Sequence, residues 1–393
     1  MIRFSIVQAA LLLTCFISTA VHAAVPNKIQ FSADHWHVVQ EINSKDKPDV
    51  QFIGHEGFPQ GAVVIRNGAI ALNDFTFRDG IIEFDMKATD QDIPGVQFRQ
   101  HGQIGHQDAE EFYVRTFPEC RASNDCIQYA PVIHGFMLWN VYPQYQTQAP
   151  ILDGWNHFKL VVSGRRMNVY INNLPLPILT VGNLESSSVE GGIQLRGPAI
   201  FANLTITPNA VEGLSPEPTA DPTAHDAGIA RHWQLGPQTP TQSGKAPVFA
   251  EAPAEDAWRP VTAGRFGLVN LNREFELVPH PASLTWLRTT VISDAAQSKL
   301  VQLGWLGNVW VFVNGTLITQ GKNFYDPDYE RREPDGRLSL ENGSFLIPLQ
   351  KGVNQVTLVI SSAVHDNPTS INYYGWGAIL RFCDMHGLRA PKS

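Results

Sequence analysis

The sequence predicts an all-β chain folded as two β-sandwiches joined by a proline-rich linker. Three observations carry this. Apolar and polar residues alternate through many short runs, the pattern of half-buried antiparallel strands, and no run holds a helical period beyond two turns. Glycine (31), proline (27) and aromatic residues (10%) supply the turns and core surface that many short strands need. Between Pro208 and Ala227 the composition changes to Pro, Ala, Thr, Asp and Glu, with Pro216, Pro218 and Pro222 close together, so this stretch cannot bury a core and reads as a semi-extended linker. The 393 residues suffice for two cores, assigned to 24–207 and 228–393.

Taken in order, the chain opens with Arg3 as the sole charge before an apolar run from Phe4 to Ala20. Val21-His22-Ala23 then has the small-residue pattern of a signal-peptidase site, so 1–23 reads as a signal peptide and the mature chain as exported, to periplasm or medium. No other stretch approaches the roughly 20 apolar residues of a membrane span. A net charge of -8 with no basic stripe argues against a nucleic-acid or anionic-membrane partner.

The runs 62–65 and 69–72 flank Arg66-Asn67-Gly68, and Asn-Gly between apolar runs predicts a hairpin. From Gly80 to Tyr142 four strands alternate, with core residues on one face. The other face collects Glu83, Asp85, Gln97, Arg99, Glu111, Tyr113 and Arg115, with Gln128 and Tyr142 as neighbours, more polar density than solubility requires. Strands at 155–162 and 167–173 alternate around Gly164-Arg165-Arg166 as a hairpin, and 192–196 and 201–206 complete the first set. After the linker, a strand near 229–233 precedes a second proline-rich stretch, 237–260. Strands follow at 267–271, 286–292, 299–303, 309–313, 345–349, 352–360 and 376–382, with Asn314-Gly315 turning the chain into 316–318.

Cys120 and Cys126 bracket a polar segment that can close as a small disulfide loop in an oxidising compartment, worth about 2 kcal/mol by loop entropy. Cys15 leaves with the leader, and Cys383 is expected as a buried, unpaired small hydrophobe. No Cys and His spacing matches a zinc site, and no nucleophile elbow, phosphate loop or dinucleotide fingerprint is present.

Residues 62–207, with Asp79-Gly80-Ile81-Ile82-Glu83-Phe84-Asp85, Val96-Gln97-Phe98-Arg99, Gly154-Trp155-Asn156-His157-Phe158-Lys159 and Gly192-Ile193-Gln194-Leu195-Arg196, resemble a concanavalin A-like jelly roll. By these motifs it is similar to laminin G-like domains and to the family named for 3-keto-disaccharide hydrolases. Residues 265–383, with Gly304-Trp305-Leu306-Gly307-Asn308-Val309-Trp310, Pro348-Leu349-Gln350-Lys351-Gly352-Val353-Asn354 and Gly375-Trp376-Gly377, are similar to the galactose-binding-like sandwich found as a non-catalytic part of β-galactosidases. The first resemblance implies a ligand on the concave sheet face.

Glu83 and Asp85, two apart on a strand, point the same way roughly 7 Å apart, and paired carboxylates are what glycoside hydrolysis uses. Glucanases of this fold carry three alternating carboxylates on such a strand, and here the third place is Lys87. Glu83, Asp85 and Glu111 are therefore the candidate catalytic residues, with a charged pair on a solvated face as the alternative. Glu111 and Arg115 also invite reading as an ion pair flanking Tyr113. Arg99 and Arg115 offer the planar donor fork that sugar hydroxyls or uronates use, beside Gln97, Tyr113, Gln128 and Tyr142 as ligand contacts. Tyr142 and Tyr145 are the expected stacking surfaces, and Trp139, alternating with Asn140, is assigned to the core. In the polar loop 323–333, Asp326 and Asp328 could hold calcium, and Tyr325 and Tyr329 could line a site, in a spacing that matches no EF-hand. The leading reading is an exported carbohydrate-binding protein for a polysaccharide or oligosaccharide. Its rivals are a glycoside hydrolase or lyase on the same face, and a cell-envelope protein-interaction module.

Overall fold

The computed structural model describes residues 25–40, 46–55, 57–103, 106–118, 120, 123–150, 152–241, 245–276, 283–325, 334–362 and 375–391. The signal peptide, Asp326, Asp328, Tyr329 and His365 lie outside them. Among the described residues the chain is all-β, with strands in four sheets and every ladder antiparallel.

Sheet I runs in the order Leu179–Val181, Arg166–Ile171, Trp155–Ser163, Gly80–Ala88, Ala199–Pro208, Phe58–Asn67 and Asp49–His55. Sheet II runs Phe136–Met137, Ile127–Ile133, Asp108–Val114, Gly95–His101, Gly192–Arg196, Ala69–Leu72 and Trp36–Val39. The two are glued by alternate apolar side chains from each. Phe84 stacks on Phe158 at 5.4 Å and meets Phe201 at 5.9 Å within sheet I, and Phe112 of sheet II reaches Phe158 at 5.8 Å. All are buried, and aromatic contacts of this kind add to the area they remove from water.

This arrangement overturns the single polar face read from Gly80 to Tyr142. The strand Gly80–Ala88 belongs to sheet I, while Gly95–His101, Asp108–Val114 and Ile127–Ile133 belong to sheet II. Period-2 alternation says which residues face the core but not from which side. Ile82, Phe84 and Met86 enter the core from one sheet and Val96, Phe98, Phe112 and Val114 from the other, so their polar neighbours point in opposite directions. Asn67-Gly68 likewise does not close a hairpin. Phe58–Asn67 pairs within sheet I and Ala69–Leu72 within sheet II, so the turn hands the chain from sheet to sheet. The hairpins around 164–165 and Asn314-Gly315 do form, Ser163 pairing with Arg166 and Val313 with Thr316.

The second sandwich stacks sheet III, ordered Arg259–Thr262, His232–Leu235, Ser283–Ser293, Gly352–Ser361, Gly307–Val313 and Thr316–Asn323, on sheet IV, ordered Val269–Asn270, Gly377–Phe382, Gln297–Trp305 and Gly343–Leu349. Trp233, Leu287, Val311, Leu358, Trp376 and Leu380 fill it. Cys383 is free and exposed rather than buried: Phe382 before it takes the inward position of the strand.

The segment 208–227 is not a loose tether. Pro216 O accepts from Arg165 N (2.8 Å) and Gly182 O from Thr219 N (2.9 Å) on the first sandwich, while Asp221 accepts from Phe266 N (3.0 Å) and pairs with Arg231 (3.1 Å) on the second. The sandwiches also touch directly. Asn140 donates to Gly336 O (3.1 Å), accepts from Gly375 N (2.9 Å), and its carbonyl accepts from Leu338 N (2.9 Å). A Cβ at Gly375 would overlap Val141, so glycine is what lets the two surfaces close. Ile229, Leu268, Leu306, Leu338 and Ile379 join the first core's cluster.

Replacing Asn140 with alanine leaves buried backbone groups at Gly336 and Gly375 without partners. The cost is about 1–3 kcal/mol, and urea unfolding of Asn140→Ala is expected to show a correspondingly lowered midpoint, where an unchanged midpoint would mean the seam contributes little to stability.

Candidate functional site

The outer face of sheet II carries the larger group of polar residues. Register places Gln194 opposite Gln97 and Gln97 opposite Glu111, and in the next row Arg196 opposite Gly95, Gly95 opposite Tyr113 and Tyr113 opposite Gln128. Gly95 lacks the Cβ that would collide with the Phe112 and Tyr113 backbone. Arg196 pairs with Glu111 at 2.5 Å, and Gln97 Nε2 donates to the other Glu111 oxygen at 3.0 Å. Glu111 therefore pairs with Arg196, not with Arg115 as its spacing suggested.

Beside this pair lies a closed set of hydrogen bonds. Tyr113 Oη donates to Gln128 Oε1 at 2.7 Å, Arg115 donates to the same oxygen at 2.9 Å and to Tyr113 Oη at 3.0 Å, and Gln128 Nε2 donates to Trp139 O at 2.7 Å. Burial pushes the Tyr113 phenol up to about 12 against the pull of Arg115, so it stays a neutral donor. Arg115 also donates to Asp125 O, within the loop closed by the Cys120–Cys126 disulfide. Asp125 meets Arg337 of the second sandwich at 2.6 Å, both being buried. Trp139 is half-buried and packs on the margin of the first core. The Arg115 guanidinium lies 5.6 Å and that of Arg337 5.2 Å from its ring, and Tyr325 meets it edge-on at 5.1 Å. Both sandwiches thus build this end of the face.

Arg99, Tyr142, Glu83 and Asp85, all expected on this face, are elsewhere. A β-bulge between Phe98 and His101, with Arg99 at φ 54°, turns Arg99 away from Gln97, and its guanidinium reaches Arg78 O (2.7 Å) and Asp79 (2.9 Å) at the head of a sheet I strand. Tyr142 is buried at the seam, accepting from Asn270 Nδ2 at 3.0 Å and stacked on Tyr145, which is buried as well. Neither tyrosine is a rim platform, because the second sandwich covers them.

Glu83 and Asp85 sit on the outer face of sheet I, away from Glu111. His157, paired in register with Asp85, donates Nδ1–H to its carboxylate at 2.8 Å and holds Nε2 3.7 Å from Glu83, long for a hydrogen bond. Asn203, at a bulge with φ 53°, donates to the other Asp85 oxygen at 2.7 Å. Hydrogen bonding to Asp85, then the Glu83 contact, lifts His157 to about 9. The His157 contact holds Glu83 below its ordinary value; burial works to raise Asp85, but the bonds from His157 and Asn203 outweigh it.

Sequence reasoning missed Arg196, His157, Asp125 and Arg337. Arg196 and His157 were within reach, since each is partly exposed next to a core residue of its strand, Leu195 and Phe158. The pairing of Asp125 with Arg337 is long-range and leaves no local signal.

No family model and no curated protein matches this sequence. Among solved structures, the chain is similar to a carbohydrate-binding module from Bacillus subtilis (14% identity, 44% of this chain and 96% of that one, TM-score 0.31). It is also similar to a galectin-like-fold protein of unknown function from Bacillus subtilis (16%, 47% and 96%, TM-score 0.34). A third is domain 4 of an extracellular arabinanase from Geobacillus stearothermophilus, solved with arabinotriose (9%, 45% and 83%, TM-score 0.30). Each is a partial likeness at low identity.

His157 gains its carboxylate partners only in the fold. Its contribution is therefore fully present below 6.5, the ordinary histidine value, and is lost as pH rises through about 9. The stability advantage of wild type over His157→Gln, from urea midpoints, is expected to shrink between pH 6.5 and 9. An advantage that stays flat across that window contradicts the assignment.

Proposed function

We propose that this is an exported carbohydrate-binding protein that holds a glycan against the outer face of sheet II, at the end where the second sandwich supplies Arg337 and Tyr325. One observation carries the reading. Gln97, a buried side chain beside the Glu111–Arg196 pair, has an Oε1 with no hydrogen-bond partner among the described residues, on the face that also bears half-buried Trp139. Buried polar atoms are normally satisfied, and a sugar hydroxyl would be a suitable donor to this one once the ligand displaces what covers it. The exposed part of the Trp139 indole, with the Arg115 and Arg337 guanidinium groups near it, adds an apolar surface for the C–H face of a sugar ring. The Cys120–Cys126 disulfide and the leader-like N-terminus support export.

Binding is favoured over cleavage by the distribution of carboxylates. Hydrolysis needs two carboxyl groups flanking one bond, roughly 5–9.5 Å apart. Glu111 lies across a sandwich about 10 Å thick from Glu83 and Asp85, and although those two share a face at a suitable spacing, Asp85 is bound by His157 and Asn203 and Glu83 faces the same imidazole. On the sheet II side Glu111 is held by Arg196 and Asp125 by Arg337.

In affinity electrophoresis against plant, algal and microbial polysaccharides, one or more is expected to retard the protein, with Trp139→Ala weakening that retardation at least about tenfold, some 1.4 kcal/mol. Sugar release that vanishes in Glu111→Gln would overturn the binding reading in favour of a hydrolase.

A further inference from the structure

We propose a second, independent glycan site on the opposite face of the first sandwich, where Glu83 and His157 together receive a hydroxyl of a neutral sugar. The first site does not use these residues. Asp85 fixes the imidazole through Nδ1, and Asn203, placed by its bulge, fixes Asp85. That leaves Nε2–H directed toward Glu83 across 3.7 Å. A hydroxyl bridging the two from the solvent side, about 2.8 Å from each, accepts from Nε2–H and donates to the carboxylate, making two hydrogen bonds where the protein groups make a poor one with each other. The gap suits a group that is both donor and acceptor, which a carboxylate or ammonium ligand is not.

A pocket opens on the His157 side of this pair. Its volume is about 350 Å³, at the small end of the roughly 300–1,000 Å³ range of ligand sites, and His157, Lys159, Tyr170, Leu174, Pro175 and Glu212 line it. The walls divide by chemistry. Lys159 and Glu212, paired at 2.6 Å, offer a donor and an acceptor, while the Tyr170 ring, Pro175 and partly exposed Leu174 offer apolar surface. Charge is close to balanced, with His157 and Lys159 against Glu83, Asp85 and Glu212, so no strong field selects an ion. The turn forming the rim is set by Asn172 and Asn173, both at positive φ (51° and 59°), and Asn172 Oδ1 accepts from His157 N at 2.9 Å, tying the rim to the imidazole strand. Apolar wall, ordered donor–acceptor pairs and small volume together fit one or two neutral sugar residues. With sites on both outer faces, one molecule can hold two glycan chains at once.

The test is two-dimensional NMR of the isotope-labelled full chain titrated with neutral disaccharides of glucose, galactose, mannose, xylose and arabinose. At least one is expected to shift amides at 157–159, 170–174 and 212, and His157→Gln is expected to weaken that response about tenfold or more without altering shifts at Gln97, Glu111 or Gln128. Leu174→Ser, on the exposed rim, is expected to weaken it likewise and serves as the check should His157→Gln perturb the strand. Shifts confined to sheet II overturn the second site and leave the first standing, and shifts near His157 that survive both substitutions also overturn it. An absence of shifts on either face with every disaccharide overturns both sites.

Discussion

The buried pair between Asp125 and Arg337 is the contact on which the two-sandwich arrangement turns. Removing two such charges from water is costly, and the pair is tolerated only where further bonds satisfy both groups. They are present here. Arg337 also donates to Asp335 at 2.8 Å, and Ser123 donates to Asp125. The short disulfide loop keeps Asp125 beneath the seam, and the bound arginine then stands over Trp139. A contact that joins the sandwiches therefore also shapes the surface proposed to receive the ligand.

A second polar chain runs through the interior and links the same two halves. Glu110, fully buried, accepts from Tyr129 Oη at 2.5 Å, and that hydroxyl accepts from Glu185 N. Glu185 takes a bond from Tyr145 Oη at 3.3 Å and its carbonyl one from Arg273 of the second sandwich. Burial pushes Glu110 up to about 7 despite the opposing pull of Tyr129, Ser186 and Arg99. Such a network is favourable only when the surrounding packing is closed, which the continuous apolar cluster across the seam provides. The proline-rich segment, bonded to both halves, fits the same picture of two sandwiches held in one arrangement.

Much of the fold was legible. Alternation in Arg166–Ile171 predicts its burial pattern residue by residue, and it does so for His157–Leu160 within Trp155–Ser163, while the spacing of Cys120 and Cys126 predicts their bond. Alternation could not tell which of two packed sheets owns a strand, and this is why Glu83 and Asp85 were grouped with Glu111. Nor could it foresee the bulges that re-aim Arg99 and Asn203, since a single residue of positive φ reverses a side chain without changing composition. Tyr142 is buried rather than at a rim because the second sandwich covers it, a contact far along the chain that leaves no local signal.

The central claim is that both sandwiches build one glycan-binding face at their seam. Hydrogen–deuterium exchange of the full chain, with and without the polysaccharide fragment that binds most tightly, tests it most directly. The account predicts slower exchange at 111–115, 126–139 and 334–338 together. Protection confined to one sandwich, or falling only on strands remote from Trp139, would contradict it.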